Sequence, residues 1–491
     1  MAAATAAQAA TGFTTGAPHV LVVPYPAQGH MQPLLHLASL LATRGLRLTV
    51  VAMPATAHLL EPLLAAHPSS VRPLSFPASD DLDTSGPTSV GADFHAHAAA
   101  LRAPLGQWLR SRARRSDSGD GETSRVVAVI SDFFCGWTQP LAAEAGVPRL
   151  VFAPSGVLAT AATHSLFRRT PRPPEGDDAG RGYAVSFPAL PGAPAFPWRQ
   201  ISRMYRSYAE GGGDEHTEAI KDNFLWNLES AAFVCNTCHP LEGKYLDAQP
   251  LEDLAGKRVW AVGPVAPPPP DETGEDDTAS DVTTWLDALP DSSVAYVSFG
   301  TMMVPPPPHA AALASALERS GTPFVWAAAT TTLPDGFADR VAAAQTGLVL
   351  RGWAPQVAAL RHRAVGCFVT HCGWNSVLES CAAGVPMLAW PMAADQFFNA
   401  RLAVEEARVA VAASWGGFGG VPDAEHLARA LTEVVGEAGA GIRARAKELA
   451  SMVAEAVGEG GSTRRELDGL VNMVVTAPWQ GKSPAGRLGA N

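Results

Sequence analysis

Hydrophobic residues fall in short runs separated by turn formers along most of the chain. The first run, from His19 through Val20, Leu21, Val22 and Val23, is continuous and β-branched, the pattern of a strand covered on both faces. Pro26 to His30 reads as a turn. Over residues 31–44, Leu34, Leu35, Leu37, Ala38 and Leu41 recur at helical spacing, and Gly45 closes the helix. Residues 46–53 are a second apolar strand. Strand, turn, helix and strand make a βαβ unit, which implies a parallel sheet. Residues 126–131 predict another buried strand with Asp132 at its carboxyl end. A helix over 139–145 and a strand over 149–152 continue the alternation.

A break follows. Four prolines at 267–270 precede Asp271, Glu272, Glu275, Asp276 and Asp277, so stiffness and like charge predict an extended linker over 266–281. Beyond it Asp281 caps a short helix holding Trp285 and Leu286. Strands at 294–299, 323–327, 348–351, 366–370 and 386–388, with a helix near 309–320, rebuild the same alternation. Residues 110–122 and 171–182, rich in Gly, Pro and charge, read as loops. No repeat of 20–50 residues is visible. The expected class is α/β, with two doubly wound parallel-sheet halves.

Composition narrows the function. The chain has 491 residues, 47 % of them hydrophobic, enough for two sizeable cores. Lys plus Arg number 36 against 47 Asp plus Glu, a net charge of −11 that argues against nucleic acid as a partner. Six cysteines without a regular framework point to a reducing compartment, and Cys235-Asn-Thr-Cys238 is a lone pair without a second. Residues 1–17 lack the basic start and apolar core of a secretory signal and read as a disordered leader. No run of 18 apolar residues predicts a spanning helix. A cytoplasmic protein is expected.

Ligands of open α/β sheets lie beyond the carboxyl ends of strands, often at helix N-termini. His30 and Asp132 both occupy such positions. A neutral imidazole at His30 is a candidate general base, and a carboxylate on its other nitrogen would fix the tautomer and stabilise the imidazolium that forms. The alternatives are a helix-capping histidine and a satisfied turn aspartate. The segment Gly366-Cys-Phe-Val-Thr-His371-Cys-Gly-Trp-Asn375-Ser376-Val-Leu-Glu379 is richer. A strand delivers His371, Gly373 allows close backbone approach, and Asn375 and Ser376 open a helix whose N–H groups can cradle a diphosphate. Glu379 shares their helix face and can accept from ribose hydroxyls, or the segment is an ordinary capped helix. Trp353 can stack on a base, and Asp395 with Gln396 can share the hydroxyls of a sugar.

From Trp353 to Gln396 the chain reads W-A-P-Q, H-C-G-W-N-S, E, G-V-P, W-P and D-Q. This resembles the signature box of plant family 1 UDP-glycosyltransferases. Pro26-Ala-Gln-Gly-His-Met-Gln-Pro33, Ser131-Asp132-Phe-Phe, Val262-Gly-Pro264 and Ser298-Phe-Gly-Thr301 extend the resemblance over most of the chain. It implies a GT-B fold, two Rossmann-like domains facing across a cleft. The corresponding boundaries are an acceptor domain over 18–265, a UDP-sugar domain over 282–460, a helix over 461–476 returning to the first domain, and a flexible tail over 477–491. The resemblance assigns Trp353 to stacking on uracil, and Ala354 and Gln356 to the base or ribose edge. It gives Glu379 the ribose, and His371, Asn375, Ser376 and Thr301 the diphosphate. Trp374, Asp395 and Gln396 would meet the transferred sugar, and Gln396 favours UDP-glucose. His30 would deprotonate an acceptor hydroxyl, Asp132 would steady the imidazolium, and inversion would give a β-glucoside without a metal or other cofactor.

The acceptor pocket is expected from the N-terminal half, with Gly29, Phe133, Trp137, Ser155 and Tyr205 as wall residues. Segments such as Arg203-Met-Tyr-Arg-Ser-Tyr208 resemble the branch acting on flavonols and small phenolic acids, so flavonoid O-glucosylation by a monomer is the expectation. Terpenoid, hormone or carbon acceptors, or another UDP-sugar, would differ only in the pockets. A nicotinamide-dependent oxidoreductase shares the fold class, but no G-x-G-x-x-G follows the first strand. An inactive small-molecule binder is disfavoured by the presence of both His30 and Asp132.

Overall fold

β1 (His19–Val23), β2 (Arg47–Ala52), β3 (Val71–Ser75), β4 (Val126–Asp132) and β5 (Arg149–Ala153) form one parallel sheet in the computed structural model. The structure describes residues 17–76, 90–113, 125–174, 182–211, 213–265 and 277–476. The leader up to residue 16, the proline-rich stretch 266–276, residues 114–122 and 175–181 of the expected loops, and the tail 477–491 lie outside the described residues. Next in the chain come a two-stranded antiparallel ribbon, β6 (Ala184–Ser186) with β7 (Ala195–Pro197), then β8 (Ala232–Cys235) and β9 (Arg258–Ala261). A second sheet contains β10 (Val294–Ser298), β11 (Phe324–Ala327), β12 (Gly347–Leu350), β13 (Val365–Thr370), β14 (Met387–Ala389) and β15 (Ala410–Ala412).

These elements make two compact units. The first comprises the described parts of Met1–Ala153, Glu215–Val234 and Leu467–Asn491; the second comprises those of Pro154–Asp214 and Cys235–Glu466. In the first unit the strand order runs β3-β2-β1-β4-β5-β8, and β1 pairs in parallel with both β2 and β4. In the second it is β12-β11-β10-β13-β14-β15, with β10 parallel to both β11 and β13. The order therefore reverses between β1 and β4 in one sheet and between β10 and β13 in the other. A crevice beyond the carboxyl ends of such a strand pair is where open α/β sheets bind ligands.

Apolar runs explain why these strands are central. Every residue of β1 and β10 is buried, as parallel strands covered by helices on both faces require. Under the second sheet Val297, Trp326, Val369, Leu388 and Trp390 pack with Leu313, Leu317, Leu427 and Leu431 from the helices Pro307–Ser320 and Ala424–Val435. Such burial contributes roughly 1.5–3 kcal/mol per large side chain.

Three local expectations need correction. Asp281 is not a cap: the helix begins earlier and spans Asp277–Asp287, so the linker's last residues are helical. Arg110 and Arg112 lie in the last turn of a helix over Val90–Ala113 rather than in a loop; cationic side chains suit that end of the helix dipole. Trp374, not Asn375, is the first residue of its helix, which runs to Ala383. The last helix, Ser462–Thr476, enters the first unit at Leu467, and there Arg44 Nε donates to Asp468 Oδ1 at 2.7 Å. All six cysteines are free and buried.

Candidate active site

The first unit places its titratable pair at the β1–β4 reversal. β1 feeds the helix Gln28–Ala42, whose third residue is His30, and β4 ends on Asp132. His30 Nδ1 lies 3.1 and 3.2 Å from the two Asp132 carboxylate oxygens. The Phe134 N–H also donates to Asp132 Oδ1, at 2.8 Å, and Asp132 is wholly buried. A carboxylate can only accept here, so Nδ1 carries a proton, and in the neutral imidazole the lone pair is on Nε2. Among the described residues Nε2 has no hydrogen-bond partner. Phe134 and Phe133 lie roughly parallel to the imidazole, with centroids at 4.9 and 5.4 Å, and Tyr25 meets its edge at 5.5 Å. These ring contacts and the Asp132 bond together orient the imidazole.

The second unit builds its site at the β10–β13 reversal. After β10, Gly300 adopts φ +74° and leads to the exposed Thr301. After β13 comes His371, and a Cβ on either Gly300 or Gly373 would crowd the His371 ring. Two glycines thus let the backbone close around this imidazole. Burial lowers His371 to about 4, so it is neutral near pH 7. Gln356, the first residue of the earlier helix Gln356–Arg361, donates through Nε2 to Glu379 Oε2 at 2.6 Å and to Ser376 Oγ at 3.3 Å on the helix that follows His371. Burial pushes the Glu379 carboxyl up, and the Gln356 hydrogen bond partly offsets it. Trp353 presents its ring to solvent at 64 % exposure, a surface open to stacking. The structure therefore brings Gln356, Ser376 and Glu379 together near the start of this helix.

The sugar candidates are more committed. Asp395 Oδ2 accepts from Ser155 Oγ at 2.7 Å and from Asn399 Nδ2 at 3.0 Å. Gln396 Oε1 accepts from the Met392 and Ala393 N–H groups at 2.8 and 2.9 Å. The amide NH2 of Gln396, not its carbonyl, is what remains to meet a ligand. The Trp374 indole is buried and donates to the Asn236 carbonyl at 2.6 Å.

Of the wall residues, Gly29 and Phe133 flank His30. Trp137 is enclosed and edge-on to His97 at 6.0 Å. Tyr205 is also enclosed, and its hydroxyl donates to the Pro171 carbonyl at 2.7 Å. Ser155 and Tyr205 belong to the second unit, although both precede the linker. Sequence reading missed Glu242. Its wholly buried carboxylate accepts from Val157 and Leu158 N–H at 2.6 and 2.8 Å and from Thr237 Oγ1 at 2.7 Å, capping the helix that follows Ser155. It also missed Arg149, one guanidinium at the start of an apolar strand. Neither lies in a local pattern that marks it.

Two parallel-sheet α/β units, one bearing a half-buried histidine on a buried aspartate and the other a glycine-flanked helix start beside a Gln–Glu pair, are the components of the GT-B class of fold. Comparison with known proteins makes this specific. The pattern of the family described as "UDP-glucoronosyl and UDP-glucosyl transferase" matches residues 273–438. "UDP-glycosyltransferase 89B2" of Stevia rebaudiana is 41 % identical over 473 residues, covering 92 % of this chain and 97 % of its own. "Flavonol 3-O-glucosyltransferase UGT89B1" of Arabidopsis thaliana is 41 % identical over 479 residues, covering 93 % and 96 %. Among solved structures, Arabidopsis thaliana UGT89C1 complexed with UDP-L-rhamnose superposes with a TM-score of 0.73 at 32 % identity, covering 94 % of this chain and all of that one. Phytolacca americana UGT2 complexed with UDP-2fluoro-glucose and pterostilbene gives 0.76 at 27 % identity, covering 93 % and 100 %. The chain belongs to the plant UDP-glycosyltransferases and is an enzyme of that family. Among the described residues no helix is long and apolar enough to cross a membrane.

Proposed function

We propose that this enzyme transfers glucose from UDP-glucose to a hydroxyl of a flavonol or related small phenol, with inversion at the anomeric carbon. The observation that carries this reading is the His30 imidazole, held by Asp132 through Nδ1 and left with a free lone pair on Nε2 among aromatic rings. Nε2 takes the proton of the acceptor hydroxyl as that oxygen attacks the anomeric carbon. The new carbon–oxygen bond forms while the bond to the β-phosphate oxygen breaks, and UDP departs with the electron pair. Asp132 stabilises the imidazolium. In this reading the leaving diphosphate meets the N–H groups opening helix Trp374–Ala383, with Ser376 and His371, rather than a metal ion. Trp353 stacks on uracil, Glu379 takes the ribose, and Asp395 and Gln396 meet the sugar.

Flat, apolar acceptors suit the rings of Phe133, Phe134 and Tyr25, and a relative named for flavonol glucosylation supports that class. The sugar has a second reading, because UGT89C1 is a structural neighbour complexed with UDP-L-rhamnose. The test is incubation with UDP-glucose or UDP-rhamnose and a panel of flavonols and phenolic acids, resolved by mass spectrometry and NMR. A β-glucoside of a phenolic hydroxyl is expected. Rhamnosides alone would replace the donor, and UDP binding without transfer to any phenol would defeat the acceptor class.

A further inference from the structure

We infer that Arg149 is a positioning residue of the transfer reaction, the buried counter-charge that holds Asp132 as a carboxylate behind His30; this rests on the reading of His30 and Asp132 given above. Arg149 opens β5, in register with Val129 of β4, so the two-residue alternation of the strands brings its side chain beside Ser131. It is 1 % exposed. Nε donates to Ser131 Oγ at 2.7 Å and Thr138 Oγ1 at 2.8 Å, and Nη1 to Asn227 Oδ1 at 2.9 Å and Ser230 Oγ at 2.7 Å. Nη2 reaches the main-chain carbonyl of Asp132 itself, at 3.3 Å.

All these acceptors are neutral. A buried guanidinium normally faces a carboxylate, because an uncompensated buried charge is strongly disfavoured. Among the described residues Arg149 has no such direct partner, and Asp132 is the wholly buried carboxylate nearest to it in the bonded network. The anion's oxygens are occupied by His30 and the Phe134 N–H, while its own carbonyl is bonded to the cation. Each charge is left uncompensated without the other.

The remaining titratable groups around the pair are the Cys135 thiol, His97, the Tyr25 phenol and His30. Burial pushes the Cys135 thiol well up, so it stays protonated, and lowers His97, which lies 3.8 Å from Cys135 Sγ, to about 4. Burial lowers Arg149 to about 9, which still leaves it cationic near neutrality. Arg149 is then a fixed cation of this region, bonded to the main chain of Asp132. Removing that cation should make it easier to add a positive charge beside it.

Arg149 also has a structural alternative: it ties helix Glu215–Glu229 to β5 through Asn227, while Asn223 and Asn227 hold the Phe133 carbonyl at 2.8 and 2.7 Å. The pH profile separates the two roles. kcat/KM against pH is measured for the wild type, Arg149→Met, Arg149→Lys and Asn227→Asp, with thermal unfolding and UDP binding as folding controls. Arg149→Met should move the acidic limb up by about one pH unit. Asn227→Asp, which places a carboxylate directly on the guanidinium in nearly the same volume and gives up only the Nδ2 bond to the Phe133 carbonyl, should move it in the same direction even if the Met variant does not fold. Arg149→Lys keeps the charge and should hold the limb within a few tenths of a unit while lowering kcat. Folded Arg149→Met and Asn227→Asp proteins with an unmoved limb would overturn the inference and leave Arg149 an anchor only. His30→Ala and Asp132→Asn are run alongside; wild-type rates in both would remove the base reading itself, and this inference with it.

Discussion

Ser155 donates its hydroxyl to Asp395 at 2.7 Å across 240 residues of chain, and both belong to the second unit. Together with Asn399 it fixes one carboxylate oxygen of Asp395, and the other is the one available for the sugar hydroxyl in the proposed reading. We expect Ser155→Ala to raise the KM for the UDP-sugar about three- to tenfold, the scale of one net hydrogen bond. UDP affinity, measured by calorimetry, should hold because UDP lacks the sugar. An equal loss for UDP would place Asp395 away from the sugar.

Removing the proposed base should separate chemistry from binding. His30→Ala is expected to lower kcat by about a thousandfold, the middle of the range for a positioned general base. UDP affinity should stay within about twofold, because the residues assigned to UDP lie in the other unit. Near-normal turnover would take the proton transfer away from His30.

Glu379 tests the nucleotide side. The carboxylate is anchored by Gln356 at 2.6 Å, so Glu379→Ala removes a positioned acceptor and strands an amide. UDP and UDP-glucose should weaken in step, by about ten- to a hundredfold, as for hydrogen bonds to a charged group. Titration calorimetry with both ligands reads this directly. Unchanged affinity for both would end the ribose assignment.

His97 ties stability to pH. Burial lowers it to about 4 in the folded chain against an ordinary value of 6.5. Between these values the unfolded chain binds the extra proton. His97's contribution is therefore complete above about pH 6.5 and is lost as pH falls toward 4. Glu242 and Glu379, raised by burial, act in the opposite sense, so the effect is read by difference. In His97→Gln the loss of unfolding free energy between pH 7 and pH 5 should be smaller than in the wild type by about 1–2 kcal/mol. Urea unfolding at the two pH values checks it, and parallel losses in both proteins would contradict it.

Much of the fold was legible because parallel strands buried on both faces leave continuous apolar runs, as in β1, β4, β10 and β13. The placement of His30, Asp132 and His371 at strand ends followed from those runs. Elements without such a signature escaped. β3 has an alternating burial pattern and a proline, and the helix Val90–Ala113 ends in arginines that read as loop. The candidate site was legible where its residues are close in sequence, as in the stretch from Trp353 to Gln396. Glu242, Arg149 and the Ser155–Asp395 bond act through partners 85, 78 and 240 residues away, and nothing in neighbouring residues records such pairings.

The interleaved make-up of the two units bears on recombination with relatives. A chimera joined at the acidic linker would take Ser155 from one parent and Asp395 from the other, and would divide Asn236 from Trp374 and Ala195 from Arg401 in the same way. Swapped halves would then inherit mismatched pairs inside a single unit. Exchanging residues 154–214 and 235–466 together would move that unit's bonded partners as one block.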